Sequence, residues 1–68
     1  MNIGARILPL LKKKGITQRE LARRVGATEV SVSHWISGER VPKANYVVYM
    51  ADALGTTTDY ILGRTDNE

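Results

Sequence analysis

Apolar residues recur along the first part of this chain at the spacing of an amphipathic helix. Between residues 2 and 14 they fall at intervals of three and four, at Ile3, Ile7, Leu10 and Leu11. This periodicity predicts a helix with one buried face. Asn2 is a candidate N-cap, and Gly15 ends the pattern behind a run of lysines whose charge complements the helix dipole. Because Pro9 lacks an N–H and crowds the preceding turn, we expect a kink or an irregular first turn.

Two further amphipathic stretches, joined by a glycine, lie between Thr17 and Gly38. Thr17 and Glu20 form a capping box, in which the hydroxyl accepts from the N–H of the third helical residue and the carboxylate reaches back to the cap. Gly26 supplies the left-handed residue that ends the first helix, and Thr28 can cap the second. The apolar positions of the two stretches are Leu21, Ala22, Val25, Val32 and Trp35. Two short helices around a glycine turn predict a helix-turn-helix motif.

The remaining apolar residues predict two more helices. A stripe over residues 43–54 consists of Val47, Met50, Ala51 and Leu54. A last short helix over residues 58–62 would be capped by Thr57, and Tyr60 or Ile61 would return to the core. No alternation of period two is long enough for a strand. The predicted fold class is therefore all-α, with five short helices packed around one core.

Length and charge narrow the class of protein further. The 68 residues suffice for one small domain. We place this domain at residues 1–64, followed by a polar tail at residues 65–68 that we expect not to pack. Ten basic residues oppose seven acidic ones, and two of the acids lie in the tail. This surplus is compatible with a polyanionic partner and equally with an ordinary solvated surface.

Membrane, metal and catalytic roles find no support in the sequence. The longest apolar run has five residues and contains a proline, whereas roughly 20 are needed to span a bilayer. No signal-peptide core is present, so a cytoplasmic protein is expected. With no cysteine and a single histidine, His34, we expect no metal site. No nucleophile or paired-carboxylate constellation stands out, so we expect neither an enzyme nor a cofactor or small-molecule ligand.

The motifs together match the pattern of a known family. The matching positions are Gly15, Ile16, Thr17, Gln18, Leu21, Ala22, Gly26, Val32, Trp35, Gly38, Pro42, Ala51, Leu54 and residues 59–63. On these positions the chain resembles the lambdoid repressor and Cro type of helix-turn-helix proteins, also called the XRE family, from about residue 3 to residue 64. The resemblance implies a five-helix, lambda-repressor-like bundle in a protein of bacterial, phage or mobile-element origin. It also implies binding of operator DNA, usually as a dimer, to regulate transcription. We expect repression by occlusion, because a chain of this length has no room for an effector or polymerase-activating domain.

The resemblance further implies which residues touch DNA. A recognition helix at about residues 28–37 would enter the major groove, where residues one turn apart share the exposed face. Its base-contacting positions would be Thr28, Glu29, Val30, Ser33 and His34. The phosphate-contacting positions would be Thr17, Gln18, Arg40 and Lys43. Gln18 corresponds to a family glutamine that bonds a phosphate and braces the next helix, and the free N–H groups that open the fourth helix favour an anion.

Five positions depart from the family pattern. Glu29 stands where many relatives have glutamine, so the bidentate adenine contact of an amide is lost. A carboxylate can accept from a cytosine amine, but phosphates repel it, so it needs a base or a neutralising neighbour. Val30 offers apolar contact, most naturally to a thymine methyl. Ile36 replaces a common glutamate, and Thr56 and Thr58 are more polar than the usual dimer contact, which argues against tight dimerisation in solution.

The predicted function is sequence-specific binding of double-stranded DNA by a transcriptional regulator, and two alternatives stay open. The same bundle could be a protein-interaction module, such as a small antitoxin or assembly factor, with DNA binding secondary. RNA binding is disfavoured because the sequence lacks a strand-borne aromatic platform. The expected partners are a double-stranded operator and a second copy of the chain, at least on DNA.

Overall fold

Five helices surround one hydrophobic core in the computed structural model, which describes residues 3–68. The helices are α1 (Gly4–Lys14), α2 (Gln18–Val25), α3 (Glu29–Ser37), α4 (Ala44–Leu54) and α5 (Thr58–Ile61). No strand forms in this part of the chain, and none of its helices is long and apolar enough to cross a membrane. The predicted all-α, five-helix fold is confirmed. Two helix ends differ by one residue, since Lys43 is the N-cap of α4 and Leu62 the C-cap of α5.

Threonine hydroxyls begin three of the five helices. Thr17, Thr28 and Thr57 have extended backbones, and each hydroxyl accepts a hydrogen bond of 3.1 Å from the backbone N–H three residues later. Each bond satisfies one of the donors that a helix start leaves without a partner, which stabilises the helix by about 1 kcal/mol relative to alanine. These N-cap positions were predicted from the sequence, and the structure confirms them.

The turn between α2 and α3 depends on the backbone conformation of Gly26. Its φ of 74° lies in the left-handed region, where a side chain would be strained. In this conformation the N–H of Gly26 donates to carbonyls at the end of α2, and the N–H of Ala27 donates to the Ala22 carbonyl at 2.9 Å. The turn therefore reaches the Thr28 cap within two residues, and α3 packs directly against α2.

The core is assembled from the apolar stripes that the helical spacing predicts. Its largest fully buried side chains are Ile7, Leu10, Leu21, Met50, Leu54, Ile61 and Val32. Each stabilises the fold by about 1.5–3 kcal/mol through burial. Trp35 is 6% exposed and its ring centroid lies 5.1 Å from that of Tyr46. Because α3 contributes Val32 and Trp35 to this core, its orientation is set by packing against the rest of the bundle.

The first helix approaches the backbone of α3 at Gly4. A Cβ built on Gly4 would overlap the carbonyl oxygen of Ile36 and lie 2.9 Å from its carbonyl carbon. Only a glycine therefore fits between the start of α1 and the end of α3. Ile36 itself is half-buried against the core. The apolar side chain that replaces the common glutamate at this position therefore contributes to packing.

The N-terminal end of α1 differs in detail from the expectation. The helix begins at Gly4, and the carbonyl of its N-cap, Ile3, accepts from the N–H groups of Arg6 and Ile7 at 3.0 and 2.9 Å. The candidate cap Asn2 lies outside the described residues. The helix is continuous through Pro9, and a kink there stays a prediction.

The C-terminal tail, which we expect not to pack, is exposed at residues 66–68, but it contacts the body of the domain through hydrogen bonds and ion pairs. The guanidinium of Arg6 donates to the carbonyl of Thr65 at 3.2 Å and to the carboxylate of Asp66 at 2.7 Å, and it lies over the ring of Tyr60 at 4.7 Å. The tail's last residue also pairs, through its carboxylate, with Lys13 at 3.3 Å. The tail thus follows α1 because two of its acids have basic partners there.

Candidate nucleic-acid interface

The α2–α3 pair buries one side of α3 and leaves the other side open. Val32 and Trp35 face the core, whereas Glu29, Val30 and Ser33 are exposed. Glu29 and Ser33 lie four residues apart within α3, as do Val30 and His34, so each pair shares one stripe of the helix. Three of the predicted base-contacting positions are therefore exposed in the first two turns of α3, whereas Thr28 is the N-cap before the helix and His34 is half-buried.

Thr28 is exposed, but its hydroxyl is engaged within the chain. The oxygen accepts from the backbone N–H of Ser31 at 3.1 Å, and the hydroxyl donates to the Ser31 hydroxyl at 3.0 Å. Both interactions serve the N-cap of α3. Thr28 therefore acts as the N-cap at the start of α3, and its methyl group is the part of the side chain that has no role in capping.

Glu29 has a basic neighbour on α2. The Nε of Arg19 lies 3.5 Å from the Oε1 of Glu29, across the turn. As the first residue of α3, Glu29 also places its carboxylate at the positive end of the helix dipole. Arg19 is thus a neutralising neighbour, which is one of the two alternatives by which this carboxylate can be accommodated near DNA phosphates.

The side chains of Val30 and His34 differ in their exposure and in their contacts within the chain. Val30 is 64% exposed, which leaves its methyl groups available for an apolar contact. His34 is half-buried, and its Nε2 lies 3.9 Å from a carboxylate oxygen of Glu39. The carbonyl of His34 accepts from the backbone N–H of Arg40 at 3.2 Å. This bond ties the loop that carries Arg40 to the end of α3.

The predicted phosphate-contacting residues lie at the starts of α2 and α4 and in the loop before α4. The hydroxyl of Thr17 caps α2, and Gln18 is its first helical residue, half-buried and without a side-chain hydrogen bond in the described chain. The predicted brace from Gln18 to α3 is thus not formed there. Arg40 and Lys43 are exposed, and Lys43 begins α4 without a side-chain cap. The first N–H groups of α4 therefore point towards solvent or an anion.

The carboxylate of Glu20 is directed away from the cap, so the second half of the predicted capping box is wrong. It accepts from Arg23 at 3.0 and 2.5 Å and from Arg24 at 2.9 Å. These hydrogen bonds lower the pKa of Glu20 to about 2, and the same pairing raises the pKa of Arg23. Guanidinium groups within reach on the next turn compete successfully with the single backbone N–H of Thr17.

Arg19 is a residue of this surface that is absent from the candidates predicted from the sequence. No spacing rule connects it with Glu29, because the two residues lie ten apart and on different helices. One signal in the sequence could have indicated the pair of Arg19 and Glu29. It is a basic residue near the start of α2 combined with an acidic residue at the first position of α3. No group of histidine, cysteine, aspartate and glutamate able to hold a metal ion is found among residues 3–68.

The comparisons with known proteins agree with this arrangement of helices. A helix-turn-helix family model matches residues 10–61. The 26 kDa repressor protein of Escherichia phage HK022 is 35% identical over 51 residues, which are 75% of this chain and 22% of the relative. Repressor protein C2 of Salmonella phage P22 is 33% identical over 60 residues, which are 88% of this chain and 28% of the relative. The chain thus spans less than a third of the length of these two phage relatives.

Solved structures share the fold over nearly the whole chain. The DNA-binding domain of the P22 C2 repressor in solution has a TM-score of 0.84 and 32% identity, covering 91% of this chain and 82% of that one. The P22 c2 repressor in complex with a synthetic operator has a TM-score of 0.83 and 31% identity, covering 90% and 92%. The family model, the relatives and the fold agree, and the chain belongs to the helix-turn-helix family.

Proposed function

We propose that this chain binds double-stranded operator DNA sequence-specifically and acts as a transcriptional repressor, with α3 in the major groove. The observation that carries the proposal is the likeness, over nine-tenths of this chain, to a repressor solved in complex with a synthetic operator. The exposed stripe of α3 supports it. An α-helix fits the major groove, and its N-terminal residues are the ones that reach base edges.

Sequence readout is assigned to side chains of the first two turns of α3. Val30 contacts a thymine methyl, because its exposed methyl groups are suited to that apolar partner. Ser33 and His34 donate to or accept from base edges one turn further along. Thr28 lies at the rim of this surface, and Glu29 is directed at a base donor.

We assign affinity for the DNA backbone to residues at the starts of α2 and α4, the two helices that flank α3 in the chain. Lys43 and Arg40 supply positive charge beside the free N–H groups of α4, and Thr17 and Gln18 occupy the start of α2. Charge and helix dipole both favour a phosphate at such positions. These contacts hold the register of the protein on the duplex without reading its sequence.

A second copy of the chain is the proposed partner on DNA. Val41 and Val48 are 63% and 46% exposed, and they line an open groove of about 390 Å³ together with Thr58 and Leu62. Exposed aliphatic side chains grouped in this way favour coverage by another protein surface. Two copies related by a twofold axis would read half-sites about one helical turn apart.

Repression is proposed to work by occlusion, since a dimer seated on the operator blocks access to the DNA beneath it. The protein is placed in the cytoplasm, where such a regulator meets its DNA. The names of the phage relatives, both of which are repressors, support this sign of regulation.

Selection of bound duplexes from a random pool tests the proposed function. We expect one motif to be enriched, with twofold symmetry if two copies bind, and an affinity for random duplex that falls steeply with salt. Competition with single-stranded RNA serves as the specificity control. A chain that enriches no duplex, or whose binding is insensitive to salt, would favour the protein-interaction module instead.

A further inference from the structure

The proposed reading helix carries a negative charge of its own. Over Glu29–Ser37 the sequence contains one carboxylate and neither a lysine nor an arginine. A carboxylate that enters the groove between two phosphate strands is repelled, and salt screens this repulsion only partly within a Debye length of about 8–10 Å. The helix therefore needs a cation from another part of the fold.

That cation is supplied by α2. The Nε of Arg19 lies 3.5 Å from the Oε1 of Glu29, and the two side chains are 84% and 52% exposed. The other two arginines of α2, Arg23 and Arg24, both pair with Glu20. Within α2, Arg19 is thus the basic residue whose charge is directed at the reading helix.

We propose that Arg19 is a positioning residue for base recognition, which neutralises and orients Glu29 so that its carboxylate accepts from the exocyclic amine of a cytosine. The inference rests on the proposed function and names the base that Glu29 reads. Arg19 uses its Nε on Oε1, so Oε2 stays available for the amine.

The chemistry of the groove favours cytosine over the other bases. Cytosine presents an amine donor in the major groove, whereas adenine presents its amine beside the N7 acceptor, which repels a carboxylate. Guanine and thymine present acceptors there. A carboxylate held by Arg19 therefore discriminates for one C·G pair in the half-site.

The test uses the full chain with Arg19→Ala, Glu29→Gln and the double variant. Each protein is taken through selection from a random duplex pool, and its affinity is measured on the duplex selected by the unmodified chain. Arg23→Ala is the matched control, because it removes an exposed arginine of the same helix whose partner is Glu20. Thermal unfolding of each variant verifies that it is folded.

We expect the unmodified chain to select a C·G pair at one position, which Glu29→Gln changes to A·T, since an amide bonds adenine in bidentate fashion. Arg19→Ala should relax the same position and weaken binding about fivefold or more. In the Glu29→Gln background, Arg19→Ala should weaken binding about twofold or less, because the negative charge that Arg19 neutralises is no longer present. Arg23→Ala should leave the selected bases unchanged.

Two results would overturn the inference. If Arg19→Ala weakens binding by the same factor in both backgrounds and leaves the base preference intact, Arg19 is a plain phosphate contact. If Glu29→Gln alters no position of the selected site, the carboxylate reads no base. Failure of the unmodified chain to enrich any duplex overturns the proposed function itself, and it is seen before any variant is compared.

Discussion

Replacing Gly4 by alanine tests how the reading helix is seated on the bundle. The added Cβ would overlap the carbonyl oxygen of Ile36 and approach its carbonyl carbon and Cα at 2.9 and 3.1 Å. These are backbone atoms of α3, so no side-chain rotation relieves the overlap. Overpacking costs about 1–3 kcal/mol, and the direct overlap with backbone atoms places this change in the upper part of that range, at about 2–3 kcal/mol. Alanine regains about 1 kcal/mol of helix propensity, which leaves a net loss of about 1–2 kcal/mol in the free energy of unfolding.

Urea and thermal unfolding measure this loss directly. For a domain of this size, a loss of 1 kcal/mol lowers the Tm by about 4–8 °C. Ala5→Gly is the matched control, because Ala5 is exposed in the same turn and the change isolates helix propensity, at about 0.5–1 kcal/mol. We also expect folded Gly4→Ala to bind operator less tightly, since α3 must shift to admit the methyl group. A variant as stable as the unmodified chain, or more stable, would refute the close approach of α1 to α3.

Three further predictions concern charge and base readout. The pKa of Glu20 in the folded protein is about 2, below its ordinary value of 4.5, so its charged form stabilises the fold above pH 4.5 and this contribution is lost as the pH falls towards 2. Glu20→Gln should therefore be less stable than the unmodified chain at pH 7, with a difference in urea unfolding that shrinks below pH 4.5. Lys43→Ala should weaken binding to all duplexes alike and reduce the salt slope of log K by about one unit, measured by titration at several salt concentrations. Val30→Ala and His34→Ala should each relax preference at one base pair by about 1–3 kcal/mol, measured by selection from a random pool.

Each of these predictions has a distinct contradicting outcome. A stability difference for Glu20→Gln that stays constant from pH 7 to pH 2 would mean that its carboxylate gains nothing from the arginines. Lys12→Ala is the control for Lys43, since it removes an exposed lysine from the last turn of α1. If log K falls with salt equally steeply in the two lysine variants, Lys43 does not contact the DNA phosphates. Unchanged discrimination in both Val30→Ala and His34→Ala would mean that another face of α3 reads the bases.

Local rules were sufficient to locate the helices from the sequence. Each Thr cap bonds a backbone N–H only three residues away, and Gly26 takes its left-handed conformation within its own turn. The stripes of apolar residues at intervals of three and four then indicate which face of each helix is buried. Such interactions depend on neighbours along the chain, so their residue types and spacing are visible in the sequence itself.

Local rules failed where several partners compete for one group. The carboxylate of Glu20 had a cap N–H and two arginines within reach, and the hydrogen bonds to Arg23 and Arg24 prevailed. The sequence indicates no partner for the exposed polar tail, yet the carboxylate of Asp66 accepts a hydrogen bond from Arg6 on α1, 60 residues away along the chain. A short polar segment shows no periodicity, so only the position of its charged partners decides where it lies.

The helices, their caps, their buried faces and the turn of the helix-turn-helix motif follow from the order of the amino acids, because each depends on contacts within about one helical turn. The approach of Gly4 to Ile36 and the pairing of Arg19 with Glu29 depend instead on how α1 and α2 are packed against α3. Packing brings together residues that no spacing relates, and here it brings a cation to the acidic end of the helix proposed to read DNA.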